Sequence, residues 1–143
     1  MKTHFNYICN KKVMTATLHI GLQHISEQIV TKEDTALRYG SGFLEVFATP
    51  SMIALMENSA MKAVQDKLPE GFGTVGIEIN IKHIKATPIG MKVKSEAILT
   101  EINDKKLTFL IKAWDEQGEI GFGTHTRYIV DNEKFVEKVK GFR

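Results

Sequence analysis

The chain has 143 residues and a mass of 16.1 kDa, which fits one domain. Its apolar content of 43% is ordinary for a globular protein and excludes a disordered or fibrous chain. The 19 Lys and Arg residues nearly balance the 17 Asp and Glu residues, which leaves a net charge of +2. This balance shows no basic footprint for nucleic acid, so we expect no nucleic-acid partner.

The N-terminal segment, residues 1–13, has no hydrophobic periodicity, so we expect a tail there and a domain at residues 14–143. The segment lacks an apolar stretch followed by a cleavage site, and nowhere does the sequence contain the ~20 apolar residues that cross a bilayer. Cys9 is the one cysteine, so no intrachain disulfide can form. These features predict a cytoplasmic protein without a membrane partner.

A strand and a loop come first in chain order. Residues 19–30 alternate apolar and polar side chains with a period of two, and a change of parity within them indicates a bend or bulge. Residues 31–48 include a Gly-Ser-Gly sequence and are predicted to form a loop with a short helical turn near residues 33–37.

A long helix is predicted to begin at Thr49. Threonine is a favoured N-cap, and Pro50 then occupies the first helical position, where its missing N–H is harmless. Glu57 conflicts with the hydrophobic pattern because it falls within the apolar stripe of this helix. At about 100° per residue, that stripe contains Ile53, Ala60 and Val64. An ionised carboxylate is costly to bury unpaired, so Glu57 either reaches solvent, pairs with a lysine or has a chemical role.

Four strands follow the helix. Apolar residues occupy every second position of residues 75–81, which predicts a half-buried strand. His83 takes the next apolar position, which places it on the inward row; its simplest interpretation is a hydrogen-bonded core histidine. Strands predicted at residues 91–102, 107–114 and 120–130 are separated by short turns, which favours an antiparallel meander.

Asn132 is predicted to cap a last helix that ends near residue 139. The apolar stripe of the long helix must be buried, and the face of the sheet is the available partner. The sequence therefore predicts an α+β fold in which an antiparallel sheet packs on one long helix.

The chemical signal lies in Glu57 and His83 taken together. Because the helix and the sheet pack against each other, an inward glutamate and an inward histidine are placed to meet as an acid–base pair. Thr49 lies on the same side of the helix, but about 12 Å of axial rise separates it from Glu57, so we expect no direct contact. The helix N-terminus also offers free N–H groups to an anion or a developing oxyanion.

Other site patterns are absent from the sequence. It contains no phosphate-binding loop, no Gly-x-Ser-x-Gly elbow and no metal-ligand spacing, so no metal is expected. Gly121 and Gly123 fall inside a predicted strand, where close backbone approach is the expected role.

Five stretches carry a family resemblance: residues 43–49 (FLEVFAT), 55–57 (LME), 75–77 (VGI), 82–88 (KHIKATP) and 121–127 (GFGTHTR). In this order they resemble the hot-dog-fold acyl-CoA thioesterases, the family typified by fluoroacetyl-CoA thioesterase. The resemblance implies a fold in which an antiparallel sheet wraps one long central helix. It also implies a homodimer, with a tetramer as the alternative, and an acyl-thioester site near the dimer interface.

The resemblance also implies roles for individual residues. Thr49, Glu57 and His83 match the family's catalytic threonine, glutamate and histidine. Gly76 matches a glycine that lines the acyl site, and Phe43 matches one of two aromatic lid residues. The second lid phenylalanine has no counterpart before Phe43, so fluoroacetyl selectivity is not implied.

The implied reaction is hydrolysis of an acyl-CoA thioester to free CoA and a carboxylic acid. His83 would act as general base or acid, oriented by Glu57, while Thr49 would position the nucleophile or the carbonyl. Direct attack by Glu57 and activation of a water both remain open. CoA is part of the substrate, and no cofactor is expected. The alternatives are a non-catalytic protein that binds acyl-CoA or a small ligand on the same fold, and an enoyl-thioester hydratase.

Overall fold

Five antiparallel strands form one sheet in the computed structural model, which describes residues 17–141. The strands are β1 (Gln23–Ile29), β2 (Phe72–His83), β3 (Lys92–Asn103), β4 (Lys106–Asp115) and β5 (Gly118–Asp131). Across the sheet they stand in the order β1-β3-β4-β5-β2, so β1 and β2 are the two edges. The predicted tail at residues 1–13 lies outside the described residues.

The helices are α1 (Ala36–Tyr39), α2 (Thr49–Gln65) and α3 (Asn132–Lys140), and a 3₁₀ turn spans Lys32–Asp34. The long helix α2 contacts β1, β2, β3 and β4, so the sheet wraps around it. This confirms the predicted α+β class and the hot-dog arrangement. No helix within the described residues is long and apolar enough to cross a membrane.

The predicted strands of the meander agree with β3, β4 and β5 to within two residues at each end. The first strand is shorter than predicted, because the chain turns at Gly21, whose φ is +97°. The pairing of β1 with β3 is regular, so the predicted bend or bulge is wrong.

Both predicted N-caps are wrong by one residue. Ala48 is the N-cap of α2, and no side chain caps this end of the helix. Thr49 is therefore the first helical residue, and its hydroxyl is free for another partner. At α3, Asp131 is the N-cap and its side chain accepts a hydrogen bond from the Lys134 backbone N–H. Asn132 is the first helical residue there.

The buried face of α2 is rotated from the predicted stripe. Its fully buried residues include Met52, Met56, Ala60 and Val64. The small side chain of Ser59 allows the sheet to approach, and its hydroxyl donates to the Ser95 carbonyl oxygen at 2.7 Å. Ile53 is only half-buried, and the Glu57 side chain is 41% exposed at the edge of this face.

A β-bulge changes the direction of the side chains along β2. The pairing of β2 with β5 shifts its register between Gly76 and Glu78. Before the bulge Gly76 pairs with Arg127, and after it Ile79 pairs with His125. Both partners are buried, so Gly76 and Ile79 share the inward face despite their odd spacing.

The prediction of a half-buried β2 with one apolar row is therefore wrong in two respects. The bulge divides the row, and the Ile77 and Ile79 side chains are 54% and 36% exposed in the single chain. The inward direction of His83 is confirmed, because His83 pairs with the buried Gly121. Close backbone approach at Gly123 is confirmed as well, since a Cβ there would overlap the Asn80 carbonyl oxygen.

Candidate active site

The C-terminal end of β2 meets the N-terminal end of α2. Here the Thr49 hydroxyl oxygen lies 2.8 Å from Nδ1 of His83, within hydrogen-bond distance. Because Thr49 does not cap its helix, its hydroxyl is available for this contact. The structure thus joins two of the three catalytic residues that the resemblance implied.

Burial favours the neutral form of the His83 ring. Burial lowers its pKa below 6.5, and the Lys85 backbone opposes this effect only in part. A neutral imidazole has one N–H and one lone pair, so it can accept a proton or donate one. Nε2 is buried, and among the described residues it has no hydrogen-bond partner. A buried polar atom without a partner is unusual, which makes this nitrogen the candidate for a contact with a substrate or a water.

A cavity of about 380 Å³ adjoins the Thr49–His83 pair. Its lining consists of Ala36, Ser41, Val46, Phe47, Ala48, Thr49, His83, Ile84, Lys85 and Ala86. The N-terminus of α2 borders this cavity and carries the partial positive charge of the helix dipole. The cavity therefore combines an apolar wall, an acid–base group and a site that favours a developing negative charge.

Glu57 belongs to a second polar group farther along α2. Its Oε2 lies 3.4 Å from Nη1 of Arg127, which is a long ion pair. The Arg127 side chain is only 8% exposed, and burial lowers its pKa while Glu57 raises it. Of the alternatives considered for Glu57, the structure shows both partial exposure at the edge of the buried face and an ion pair, with arginine in place of lysine.

Arg127 is fixed by neighbours on two strands. Its Nε donates to the Thr74 hydroxyl at 2.8 Å, and its Nη2 donates to the Thr74 carbonyl oxygen at 2.9 Å. Its Nη1 lies 3.1 Å from Nε2 of His125. No sequence pattern assigned a role to His125 or Arg127. The available signal was the spacing of His125 and Arg127, since residues two apart on β5 share one face and two polar residues on a buried face need partners.

Gly76 lies directly against the carboxylate of Glu57. A Cβ at this position would stand 2.6 Å from Oε2 of Glu57 and 3.3 Å from Nη1 of Arg127. Any side chain at position 76 would therefore displace the ion pair. Gly76 on β2 and Glu57 on α2 therefore lie side by side.

The predicted contact between Glu57 and His83 is not formed within the chain. His83 bonds to Thr49 at one end of α2, and Glu57 bonds to Arg127 two turns farther along, after about 12 Å of helical rise. Phe43 is 94% exposed and does not line the cavity. The single chain thus presents two separate polar groups, Thr49–His83 and Glu57–Arg127, which we call its half-sites.

Comparison with known proteins gives three kinds of similarity. A family model described as fluoroacetyl-CoA-specific thioesterase matches residues 30–133. The fluoroacetyl-CoA thioesterase of Streptantibioticus cattleyicolor is 40% identical over 98 residues, which are 68% of this chain and 70% of that protein. A solved structure of the fluoroacetyl-CoA thioesterase FlK superposes with a TM-score of 0.83 at 32% identity, covering 88% of this chain and 98% of that one.

Two other solved structures share the architecture. A thioesterase-superfamily member from Thermus thermophilus has a TM-score of 0.79 at 25% identity, over 85% of this chain and 90% of its own. A hot-dog-like protein from Thermanaerovibrio acidaminovorans has a TM-score of 0.81 at 21% identity, over 91% and 97% of the two chains. The latter similarity is one of fold alone.

Proposed function

The chain belongs to the family of fluoroacetyl-CoA-specific thioesterases, and on this premise we propose that it hydrolyses an acyl-CoA thioester to free CoA and a carboxylic acid. The observation that carries the proposal is the hydrogen bond between Thr49 and His83 beside the cavity. Solved structures of the relative FlK include mutant complexes with acetyl-CoA and with fluoroacetate, which supports an acyl-CoA as the substrate class.

The residues of the cavity suit the steps of hydrolysis. Water or a carboxylate adds to the thioester carbonyl, and the oxyanion that forms is stabilised by the N-terminus of α2. His83 takes a proton from the attacking water and returns one to the leaving thiolate when the C–S bond breaks. The Thr49 hydroxyl holds the His83 ring in place for this transfer. In the alternative route the Glu57 carboxylate attacks the carbonyl and CoA leaves as the thiolate. Water then hydrolyses the anhydride that has formed, and His83 takes the proton of this water and passes it to the thiolate.

We propose further that the active protein is a homodimer in which Glu57 of one subunit completes the Thr49–His83 site of the other. Among residues 17–141, β2 is an edge strand with exposed Ile77 and Ile79, and this supports the pairing because an unpaired apolar edge strand favours association. Antiparallel pairing of two β2 edges about a two-fold axis near the middle of the strand would bring the Gly76 region of each chain toward the His83 region of the partner subunit. The second half-site then faces the first.

A panel of short, aromatic and medium-chain acyl-CoA substrates tests the proposed reaction. We expect release of free thiol, and we expect His83→Gln or Glu57→Gln to lower kcat by roughly 10². His19→Gln and Glu101→Gln, on exposed residues, are matched controls that should keep full turnover.

Two outcomes contradict the proposal. Accumulation of a hydroxyacyl thioester without free thiol would show hydration of an enoyl substrate. Binding of acyl-CoA without turnover by the wild type would show a binding protein. The cytoplasmic location stays a prediction from the sequence.

A further inference from the structure

We infer that His125 is a positioning residue that orients the Glu57 carboxylate through Arg127. The inference rests on the proposed function, because it concerns the same site. His125 is 1% exposed, so it does not reach the cavity or the solvent. Its effect on the reaction must therefore pass through its neighbours.

The two ring nitrogens of His125 have fixed and opposite roles. Nδ1 lies 2.7 Å from the Glu78 carbonyl oxygen, which can only accept, so Nδ1 carries the proton. Nε2 lies 3.1 Å from Nη1 of Arg127, which can only donate, so Nε2 carries the lone pair. Only the neutral Nδ1–H tautomer satisfies both contacts. Burial lowers the pKa of the ring, the Glu78 hydrogen bond opposes this, and the Arg127 charge adds to the lowering.

The bulge in β2 places the Glu78 carbonyl toward this ring. Glu78 is the residue at which the β2 register resumes, opposite Thr126. On its other side, the ring of Phe109 stacks against His125 with centroids 6.3 Å apart and planes inclined by 30°. The imidazole is therefore held in position, tautomer and plane by groups on three strands.

A fixed acceptor at Nε2 determines where Arg127 directs Nη1. Nε and Nη2 of Arg127 donate to Thr74, so Nη1 is the nitrogen that contacts both His125 and Glu57. Without the acceptor, a buried N–H of Nη1 would lose its partner, and the guanidinium would turn to find another. That rotation would move the donor away from Glu57.

Glu57 depends on this donor for its orientation. Its side chain is 41% exposed, and Gly76 offers no side chain to restrain it. Within the described residues, Nη1 of Arg127 is the polar contact that the structure gives to the Glu57 carboxylate. The chain from the Glu78 carbonyl through His125 and Arg127 therefore orients the carboxylate at the centre of the half-site.

A pair of substitutions at His125 tests the inference. His125→Phe keeps a flat ring beside Phe109 but removes the acceptor, and we expect kcat to fall roughly tenfold to a hundredfold with a much smaller change in KM. His125→Gln supplies an oxygen acceptor for Arg127 and should restore kcat to within about threefold of the wild type. His24→Phe, on the opposite edge strand, is the matched control and should keep the wild-type kcat.

The Glu57→Gln background separates positioning from general damage to the fold. If His125 acts through the carboxylate, His125→Phe should lower kcat by less than about threefold in that background, because residues that act as a unit are non-additive. An equal factor in both backgrounds, or a folded His125→Phe enzyme with wild-type kcat, overturns the inference.

A second measurement does not depend on turnover. Nitrogen-15 NMR of the His125 ring should show protonated Nδ1 and unprotonated Nε2 at pH 7, and the Nε2–H tautomer or the imidazolium would contradict the inference. Failure of the proposed function is a separate result, since it would show as a wild-type protein that releases no thiol.

Discussion

Substitution of Thr49 tests a chemical role without removing a helix cap, because Ala48 and not Thr49 is the N-cap of α2. We expect Thr49→Ala to lower kcat about tenfold or more. The free energy of unfolding should fall by less than the ~1 kcal/mol typical of a lost cap. Thr49→Ser keeps the hydroxyl and should retain most of the turnover. Steady-state kinetics with thermal denaturation checks this, and a large stability loss with unchanged kcat would contradict it.

Gly76 is expected to tolerate no side chain, for a steric reason. A Cβ at this position would stand 2.6 Å from Oε2 of Glu57, so Gly76→Ala should displace the carboxylate and lower kcat about tenfold or more. Gly141→Ala is the control, because its nearest atom would be at 3.4 Å and its φ of −75° suits any residue. Equal turnover in the two variants would show that Glu57 needs no fixed position.

The pKa of His83 predicts the pH dependence of the reaction. Burial lowers that pKa below 6.5, so the neutral base persists to lower pH than an exposed histidine would allow. We expect kcat/KM to rise with pH through a midpoint below 6.5 and then to level off. This acid limb should be absent in His83→Gln. A midpoint above 6.5 would show that a different group, or a differently charged site, controls the profile.

The connection between β2 and β3 is held to the β4–β5 turn by one carboxylate. The buried Asp115 accepts from Lys85 Nζ at 2.9 Å, from the Thr87 hydroxyl at 2.8 Å and from the Gln117 backbone N–H at 2.8 Å. Burial raises the pKa of Asp115, but these hydrogen bonds outweigh it and leave the pKa below 3.8. The cavity wall at residues 84–86 is therefore anchored to the sheet.

Asp115→Asn should lower the free energy of unfolding by about 2 kcal/mol, because the amide nitrogen that replaces one carboxylate oxygen cannot accept the hydrogen bonds made there. The sign of the pH effect follows from the lowered pKa. The stabilisation is fully present above 3.8 and is lost as the pH falls through the folded-state pKa. Urea unfolding of both proteins at pH 7 and pH 3 measures this. A stability difference that grows toward low pH would contradict it.

The proposed dimer predicts complementation between two inactive chains. In a heterodimer of Glu57→Gln and His83→Gln chains, one of the two shared sites retains both residues. An equal mixture refolded together should thus recover about a quarter of the wild-type activity. Each variant refolded alone is the control. Recovery no greater than the sum of the controls would show that each site lies within one subunit.

A charged substitution on the β2 edge tests the proposed dimer in a second way. Ile79→Lys places a charge on the exposed edge strand and should give a monomer by light scattering, with loss of turnover. An Ile79→Lys monomer that keeps wild-type kcat would contradict the shared site.

Local pattern in the sequence was sufficient for the elements of the fold. Residues 91–130 alternate with a period of two and break at short turns, and these features depend only on neighbouring residues. For the same reason Pro50 marked the start of α2. The family motifs identified Thr49 and His83, and the structure joins them.

Tertiary contacts decided the composition of the half-sites. The bulge at Gly76 reverses the parity of β2, and it arises from pairing with β5, about fifty residues away, rather than from any local signal. Glu57 and Arg127 are 70 residues apart in the sequence. Arg127 is held by Thr74, and these two residues meet only because β2 lies beside β5. Periodicity reports which way a regular element faces, whereas partners across a sheet depend on register, which distant strands set jointly.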